Sequence, residues 1–98
     1  MKVSPLHSAA AGGHTAILNL LLEQDADPNA LQEGGFTPLH AAAQNGDVQT
    51  IHTLLLHSAD VDIKSAEGKS PLNYAIESKN LEAVELIRKG ITKRFRKY

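Results

Sequence analysis

The sequence repeats itself at an interval of 33 residues, and this period restricts the folds that the chain can adopt. A tetrapeptide of Ser or Thr, Pro, Leu, and His or Asn begins at Ser4, at Thr37 and at Ser70. Periods of about 20 to 50 residues are typical of arrays in which each unit stacks on the next, because one unit cannot bury its apolar face alone. The sequence therefore predicts one structural unit that forms three times.

The clearest copy is TPLHAAAQNG, from Thr37 to Gly46, and it carries the start and stop signals of a short helix. Thr37 is a good N-cap residue, and Pro38 suits the first helical position. The alanines that follow favour a helix, and Gly46 can adopt the left-handed conformation of a C-terminal cap. A helix of this length is not stable alone, so we expect it to pack against its neighbours.

A second apolar segment follows each tetrapeptide and predicts a second helix in each unit. The first unit begins with a helix at about Pro5 to Ala11, and the second helices run at about Thr15 to Gln24, Val48 to His57 and Leu81 to Arg88, with a C-cap at Gly90. These elements predict a single domain of residues 1–98 with repeats at about 4–36, 37–69 and 70–90 and a basic segment at about 91–98.

This pattern resembles the ankyrin repeat family over residues 4 to about 90. The resemblance rests on the three tetrapeptides, on Gly13-His14 and Gly46-Asp47, on Leu pairs at 21–22 and 54–55, and on Ala-Asp at 26–27 and 59–60. It implies an all-α solenoid of three stacked helix-turn-helix units with hairpin-like loops, in which the first helices face a concave groove. Asp25 and Ser58 stand where the family favours Gly, and Lys79 replaces the glycine stop.

Composition and motifs argue against several function classes. The absence of cysteine removes disulfides and thiolate metal sites and suits a reducing compartment, so we expect a cytoplasmic protein. No apolar run approaches the roughly 18 residues of a membrane span, and Met1 leads into the first repeat without a signal peptide. The chain has no phosphate loop and no nucleophile elbow. We therefore predict no enzyme, no catalytic residue, no cofactor, no metal and no small-molecule substrate.

The histidines and aspartates of the repeats could be mistaken for metal ligands. His7 and His40 share a repeat position, but stacked helices lie about 10 Å apart and zinc ligands must reach to about 2 Å. We expect these imidazoles to bond to the N-terminal turns of neighbouring repeats, as the family resemblance also implies. Asp27 and Asp60 lack the spacing of a calcium loop, and we expect them to hold loop turns through side-chain to backbone hydrogen bonds.

The expected function is binding of another protein, as an inhibitor or an adaptor, through the concave face and the loop tips. Solenoids present such surfaces, and an acidic balance would steer a basic partner. Phe36 is either an exposed interface anchor or a ring that folds back on the next repeat. The expected partner-binding residues are those that the repeat fold leaves free: Glu33, Phe36, Gln44, Asn45, Glu67, Lys69, Tyr74, Glu77 and Ser78.

The charges are divided unevenly along the chain. Residues 1–87 hold all eleven acids and four basic residues, whereas residues 88–98 hold six basic residues and no acid. An apolar stripe at helical spacing predicts that a helix continues through the basic segment and caps the last repeat: Val84, Ile87, Ile91, Phe95 and Tyr98. The alternative is a disordered basic arm that binds nucleic acid or an anionic membrane.

Two further expectations concern the second helices. Leu21 and Leu54 are equivalent, so we expect both to be buried between the layers. The helix at about Thr15 to Gln24 is apolar around most of its circumference, which predicts burial on more than one side. Because a terminal repeat normally has a polar outer face, this edge predicts either a missing upstream repeat or self-association.

Overall fold

The computed structural model describes residues 4–95, with side chains up to residue 92, and within that range it forms three consecutive helix pairs. The first helices of the pairs form one layer, and the second helices form the other. The chain is therefore the all-α solenoid that the sequence predicts. Its helices are α1 Pro5–Ala11, α2 Thr15–Glu23, α3 Pro38–Asn45, α4 Val48–Leu56, α5 Pro71–Ser78 and α6 Leu81–Phe95.

Local hydrogen bonds define where the first-layer helices begin. The side-chain oxygens of Ser4, Thr37 and Ser70 accept the N–H groups of His7, His40 and Asn73, respectively. A proline follows each of these caps. Gly46 ends α3 in the left-handed conformation with φ 64°, as the sequence predicts. Because each cap uses groups only a few residues apart, these helix starts agree with the predicted ones.

Three residues other than glycine also adopt the left-handed conformation. They are Asp25 with φ 70°, Ser58 with φ 69° and Lys79 with φ 64°. These are the positions at which the sequence departs from the glycines that the family resemblance suggests. The departures therefore leave the backbone turns intact, but each side chain carries the steric cost of a left-handed residue.

We expect Lys79→Gly to raise the free energy of unfolding by about 0.5–1 kcal/mol, because glycine adopts a φ of 64° without a clash of its Cβ. Lys89→Gly is the matched control, since Lys89 is an exposed residue within α6. There the same change should lower the free energy of unfolding by about 1 kcal/mol. Urea denaturation measures both, and a loss of stability in Lys79→Gly would contradict the interpretation.

The core lies between the two layers and between successive repeats. Leu18, Ile51, Leu54 and Ile87 are fully buried on the second helices. The burial of Leu54 confirms one prediction, but Leu21 is only partly buried. The reason is that α4 lies between α2 and α6, whereas within residues 4–95 no helix covers the far side of α2.

Helix α2 packs against both α1 and α4, as the prediction of burial on more than one side requires, but its remaining face is uncovered within residues 4–95. Ile17 is 54% exposed and Leu20 is 53% exposed. The residues equivalent to Ile17 in the later repeats, Thr50 and Ala83, are fully buried because a preceding repeat covers them. The far side of α2 is thus an apolar edge, which we call the N-terminal edge and define by Ile17, Leu20 and Leu21.

Helix α6 does not end at Gly90, so the prediction of a C-cap there is wrong. The helix continues to Phe95, as the prediction of a helix through the basic segment requires. A Cβ at position 90 would lie 3.5 Å from side-chain carbons of Leu55 and Val61, which is an ordinary van der Waals distance, so this part of α6 packs against both residues without requiring a glycine. Ile91 is partly buried against the core. The last part of the predicted stripe and of the basic segment, residues 96–98, lies outside the described residues.

Candidate protein-binding surface

The histidine of each of the first two tetrapeptides connects its own helix cap to the next repeat. The Nδ1 atom of His40 accepts a hydrogen bond from the Thr37 backbone N–H at 2.9 Å. Its Nε2 atom lies 3.1 Å from the Lys69 carbonyl oxygen, and since a carbonyl can only accept, Nε2 carries the proton and donates. His7 makes the equivalent bond to the Phe36 carbonyl at 2.8 Å.

These bonds confirm the structural role expected for both histidines. Phe36 and Lys69 immediately precede the N-caps of α3 and α5, so each imidazole joins one repeat to the start of the next. Within residues 4–95, no group of three or more potential ligands is arranged to hold a metal ion.

The loops are held by further short hydrogen bonds. Asp27 and Asp60 each accept a hydrogen bond at 2.8 Å from the backbone N–H two residues later, which confirms their predicted role in turns. The Ala66 N–H donates to the Gly34 carbonyl at 2.7 Å and connects the tips of successive loops. The loop tips therefore have a defined position relative to the helices.

We expect acidification to destabilise the domain through His40. Burial lowers the pKa of His40, although hydrogen bonds to the Lys69 and Ile63 backbone partly oppose this effect. The unfolded state therefore binds the proton more readily than the folded state. The stabilisation is complete above the unfolded pKa of about 6.5 and is lost as the pH falls through the lower folded pKa.

Urea midpoints at pH 7.5 and pH 5 measure this effect. His40→Asn is the control, because Asn73 occupies the equivalent position in the third repeat and does not titrate. The wild-type domain should lose more stability between the two pH values than the variant does. Equal losses in the two proteins would show that His40 does not contribute to the pH dependence.

Three rings, one from each repeat, form an aromatic cluster, which consists of Phe36, His40 and Tyr74. Phe36 stacks on His40 with ring centroids 5.2 Å apart and meets the edge of Tyr74 at 5.5 Å. Phe36 is partly buried, whereas Tyr74 is only 5% exposed and its hydroxyl lies 3.0 Å from the Ser65 hydroxyl. Phe36 thus folds partly onto the next repeat and keeps some exposed surface.

The burial of Tyr74 corrects the expectation that its side chain is free on the surface. Tyr74 occupies the position of Ser8 and Ala41 in the earlier repeats. Its larger side chain extends back onto the preceding repeat, where the Phe36 and His40 rings enclose it. Tyr74 therefore supports the cluster and offers a partner little of its own surface.

Charged side chains surround the aromatic cluster. Lys69 Nζ lies 2.8 Å from Glu77 Oε2 and 5.5 Å from the centroid of the Tyr74 ring. The hydrogen bond to Glu77 raises the pKa of Lys69, so the amine is a cation at neutral pH. The Tyr74 hydroxyl is 3.4 Å from Glu67 Oε1. The structure thus brings together five of the sequence-predicted residues: Phe36, Glu67, Lys69, Tyr74 and Glu77.

The other predicted residues occupy different places. Glu33 is exposed at the first loop tip, and Gln44 is exposed near the end of α3. Asn45 donates to the Ala11 carbonyl at 2.8 Å, and Ser78 donates to the Ala75 carbonyl at 2.6 Å. Both side chains therefore already make intrachain hydrogen bonds near the helix ends.

Exposed leucines also lie outside the sequence-predicted site. Leu56 is 72% exposed and Leu81 is 79% exposed. A comparison of repeat positions would have identified Leu56, because its equivalents are the charged Glu23 and Lys89.

The architecture and its surface define a class of protein. Three stacked helix pairs hold the loop tips in place and present a mixed aromatic and charged surface, as in helical repeat proteins that bind other macromolecules. The family model described as "Ankyrin repeats (3 copies)" matches residues 6–96. The chain therefore belongs to the ankyrin repeat family. Ankyrin repeats generally serve as protein–protein interaction modules.

A solved structure shows the same arrangement. The crystal structure of the human ASB11 ankyrin repeat domain is similar with a TM-score of 0.86 and 31% sequence identity. The match covers 90% of this chain and 40% of that chain, so this chain spans well under half of that structure. A search of curated proteins gave no match. In the part of the chain from residue 4 to residue 95, no helix has the length and apolar character needed to cross a membrane.

Proposed function

We propose that the chain binds a partner protein, as an inhibitor or an adaptor, through the loop-tip surface. This surface consists of Glu33, Phe36, Glu67, Lys69 and Glu77, with Gln44, Asn45 and Ser78 beside it. The partly exposed Phe36 ring carries the proposal, because His40 and Tyr74 hold it in one orientation. A ring that is already fixed loses little conformational entropy on binding, and aromatic side chains are frequent interface anchors.

The charge of the surface supports a partner with a basic patch. Glu33, Glu67 and Glu77 are exposed, and Lys69 is paired with Glu77. The surface therefore has an excess of negative charge, which would speed association with a basic protein. The proposal includes a cytoplasmic location, which is compatible with a chain that has no cysteine.

An affinity pull-down with three baits tests the proposal. The double variant Phe36→Ala with Glu33→Lys removes the ring and reverses one loop-tip charge. The control is Leu56→Ala with Glu82→Lys, which makes the same kinds of change at exposed positions of α4 and α6.

A protein that is captured by the wild type and the control, but not by the double variant, should then bind the purified domain with the same selectivity. Titration of the captured protein with each of the three purified domains measures the affinities. If every captured protein binds the double variant as well as the wild type, the loop-tip surface is not the binding site.

A rival proposal is binding of nucleic acid or anionic membrane through the basic helix. Arg88 and Lys89 are exposed on α6, and the same helix includes Lys93 and Arg94. Titration of DNA, RNA and anionic vesicles at several salt concentrations distinguishes the two proposals. A steep fall in affinity with salt that Lys89→Gln reduces would favour the rival, because each phosphate contact releases counterions.

The N-terminal edge supports a separate proposal, self-association. Ile17 and Leu20 are each more than half exposed, and Leu21 lies partly buried beside them. Contiguous exposed apolar surface often marks an interaction site. Sedimentation over a range of protein concentrations tests this proposal, and a strict monomer at high concentration would refute it.

A further inference from the structure

We infer that self-association joins the N-terminal edge of one copy to the C-terminal end of a second copy, in the register of the internal repeats. This inference rests on the self-association proposed above and names the surface that the N-terminal edge binds. We call that surface the C-terminal edge and define it by Leu72, Ile76, Leu81, Val84 and Arg88. The result would be a head-to-tail stack that continues the solenoid from one molecule to the next.

The register comes from contacts within the chain. The Thr15 hydroxyl lies 3.4 Å from the Thr50 hydroxyl, and this pair lies where the first repeat stacks on the second. One repeat later, the equivalent residues are Val48 and Ala83, and Ala83 is fully buried. A further step of 33 residues leads from Val48 to Leu81. The same step from Ala83 leads to the first repeat of the next copy, where the equivalent residue is Ile17, so Leu81 would meet Ile17 of the next copy.

The exposed residues match this register. Leu81 is 79% exposed and Ile17 is 54% exposed, so the two residues that would meet are large, apolar and uncovered. Ile76 is 53% exposed at the position where Ala10 and Ala43 are fully buried by the following repeat. A second copy would cover these side chains as a following repeat does inside the chain.

The same register determines which polar residues of the two edges meet. Within the chain, Leu55 contacts the position of Gly90, where a Cβ would lie 3.5 Å from the leucine. The equivalent pair between copies is Arg88 of one molecule and Gln24 of the next. Glu23 and Asp25 flank Gln24, and the Arg88 side chain is 65% exposed. Arg88 pairs with Glu85 of its own helix at 3.3 Å, so the stack places this ion pair beside Glu23 and Asp25 of the next copy.

The geometry determines how the assembly grows. A head-to-tail contact is heterologous, so each added copy leaves one free edge of each kind, and growth does not stop at two. Pairing of two N-terminal edges would instead be isologous and would stop at a dimer. The distribution of sizes therefore separates the two modes of self-association.

Two variants that block one edge each provide the test. Ile17→Arg blocks the N-terminal edge, and Leu81→Arg blocks the C-terminal edge. Each variant alone should sediment as a monomer at concentrations where the wild type forms dimers, trimers and larger species. An equimolar mixture should form a heterodimer and nothing larger. Each variant keeps one free edge, and the heterodimer uses both of them. Leu56→Arg is the control, since Leu56 is 72% exposed but belongs to neither edge, and it should sediment like the wild type.

Other outcomes would overturn the inference. A wild-type protein that remains monomeric refutes both self-association and the stack. A wild-type dimer that Ile17→Arg abolishes and Leu81→Arg preserves supports self-association but refutes the head-to-tail register. Circular dichroism confirms that each variant is folded, and Ile17→Gln and Leu81→Gln replace any arginine variant that is not.

Discussion

Replacement of Leu54 by Ala is expected to lower the free energy of unfolding by about 2–5 kcal/mol. Leu54 is fully buried on α4, the middle helix of the second layer, and α4 contacts the second helices of both other repeats. The truncation leaves a cavity that the two neighbouring helices share. Small domains have total stabilities of only about 5–15 kcal/mol, so the variant loses a large part of its stability.

Leu56→Ala is the control for this prediction. Leu56 lies on the same helix but is 72% exposed, so the same truncation should change the free energy of unfolding by less than about 0.5 kcal/mol. Leu21→Ala should be intermediate, because Leu21 is partly buried. Urea midpoints measure all three variants, and equal shifts for Leu54→Ala and Leu56→Ala would contradict the assignment of the core.

Replacement of His40 by Leu is expected to lower the free energy of unfolding by about 2–4 kcal/mol, although leucine fills a similar volume. The change removes the acceptor for the Thr37 N–H and the donor to the Lys69 carbonyl. Thr37 is 1% exposed, so water cannot readily replace the first of these bonds. The stranded Thr37 N–H costs about 1–3 kcal/mol, and the lost bond to the Lys69 carbonyl, which keeps the Ser65 N–H at 2.8 Å, costs about 1 kcal/mol more.

Two further variants make the measurement specific. His52→Leu introduces the same change at an exposed position of α4 and should alter stability by less than about 0.5 kcal/mol. His40→Asn should lose less than His40→Leu, since Asn73 accepts the equivalent cap hydrogen bond at 2.9 Å in the third repeat. If thermal and urea denaturation show no difference between His40→Leu and wild type, the hydrogen bonds of His40 do not stabilise the domain.

The parts of the fold that sequence analysis predicts correctly depend on neighbours in the chain. The caps at Ser4, Thr37 and Ser70 involve groups three residues apart, and Gly46 turns the chain through its own φ. Lys79 does not follow the local preference, because it takes the left-handed conformation without being glycine. Packing of the surrounding helices outweighs the local preference there.

The candidate surface was predictable only in part. The repeat pattern identifies Phe36, Lys69 and Glu77 as residues that the core does not require. It does not reveal that Lys69 and Glu77 form an ion pair, or that Tyr74 is buried against Phe36 and His40. These contacts join side chains from different repeats, so they depend on how closely the repeats stack.

The sequence by itself determined the number of repeats, their 33-residue register and the start of each first helix, because periodicity and capping are local properties of the chain. Only the tertiary structure decided which equivalent residues are buried. Ile17, Thr50 and Ala83 share one repeat position, yet Ile17 is 54% exposed and the other two are fully buried. The physical reason is that a residue at this position is covered by the preceding repeat, and its burial depends on the presence of that neighbour more than on its own side chain.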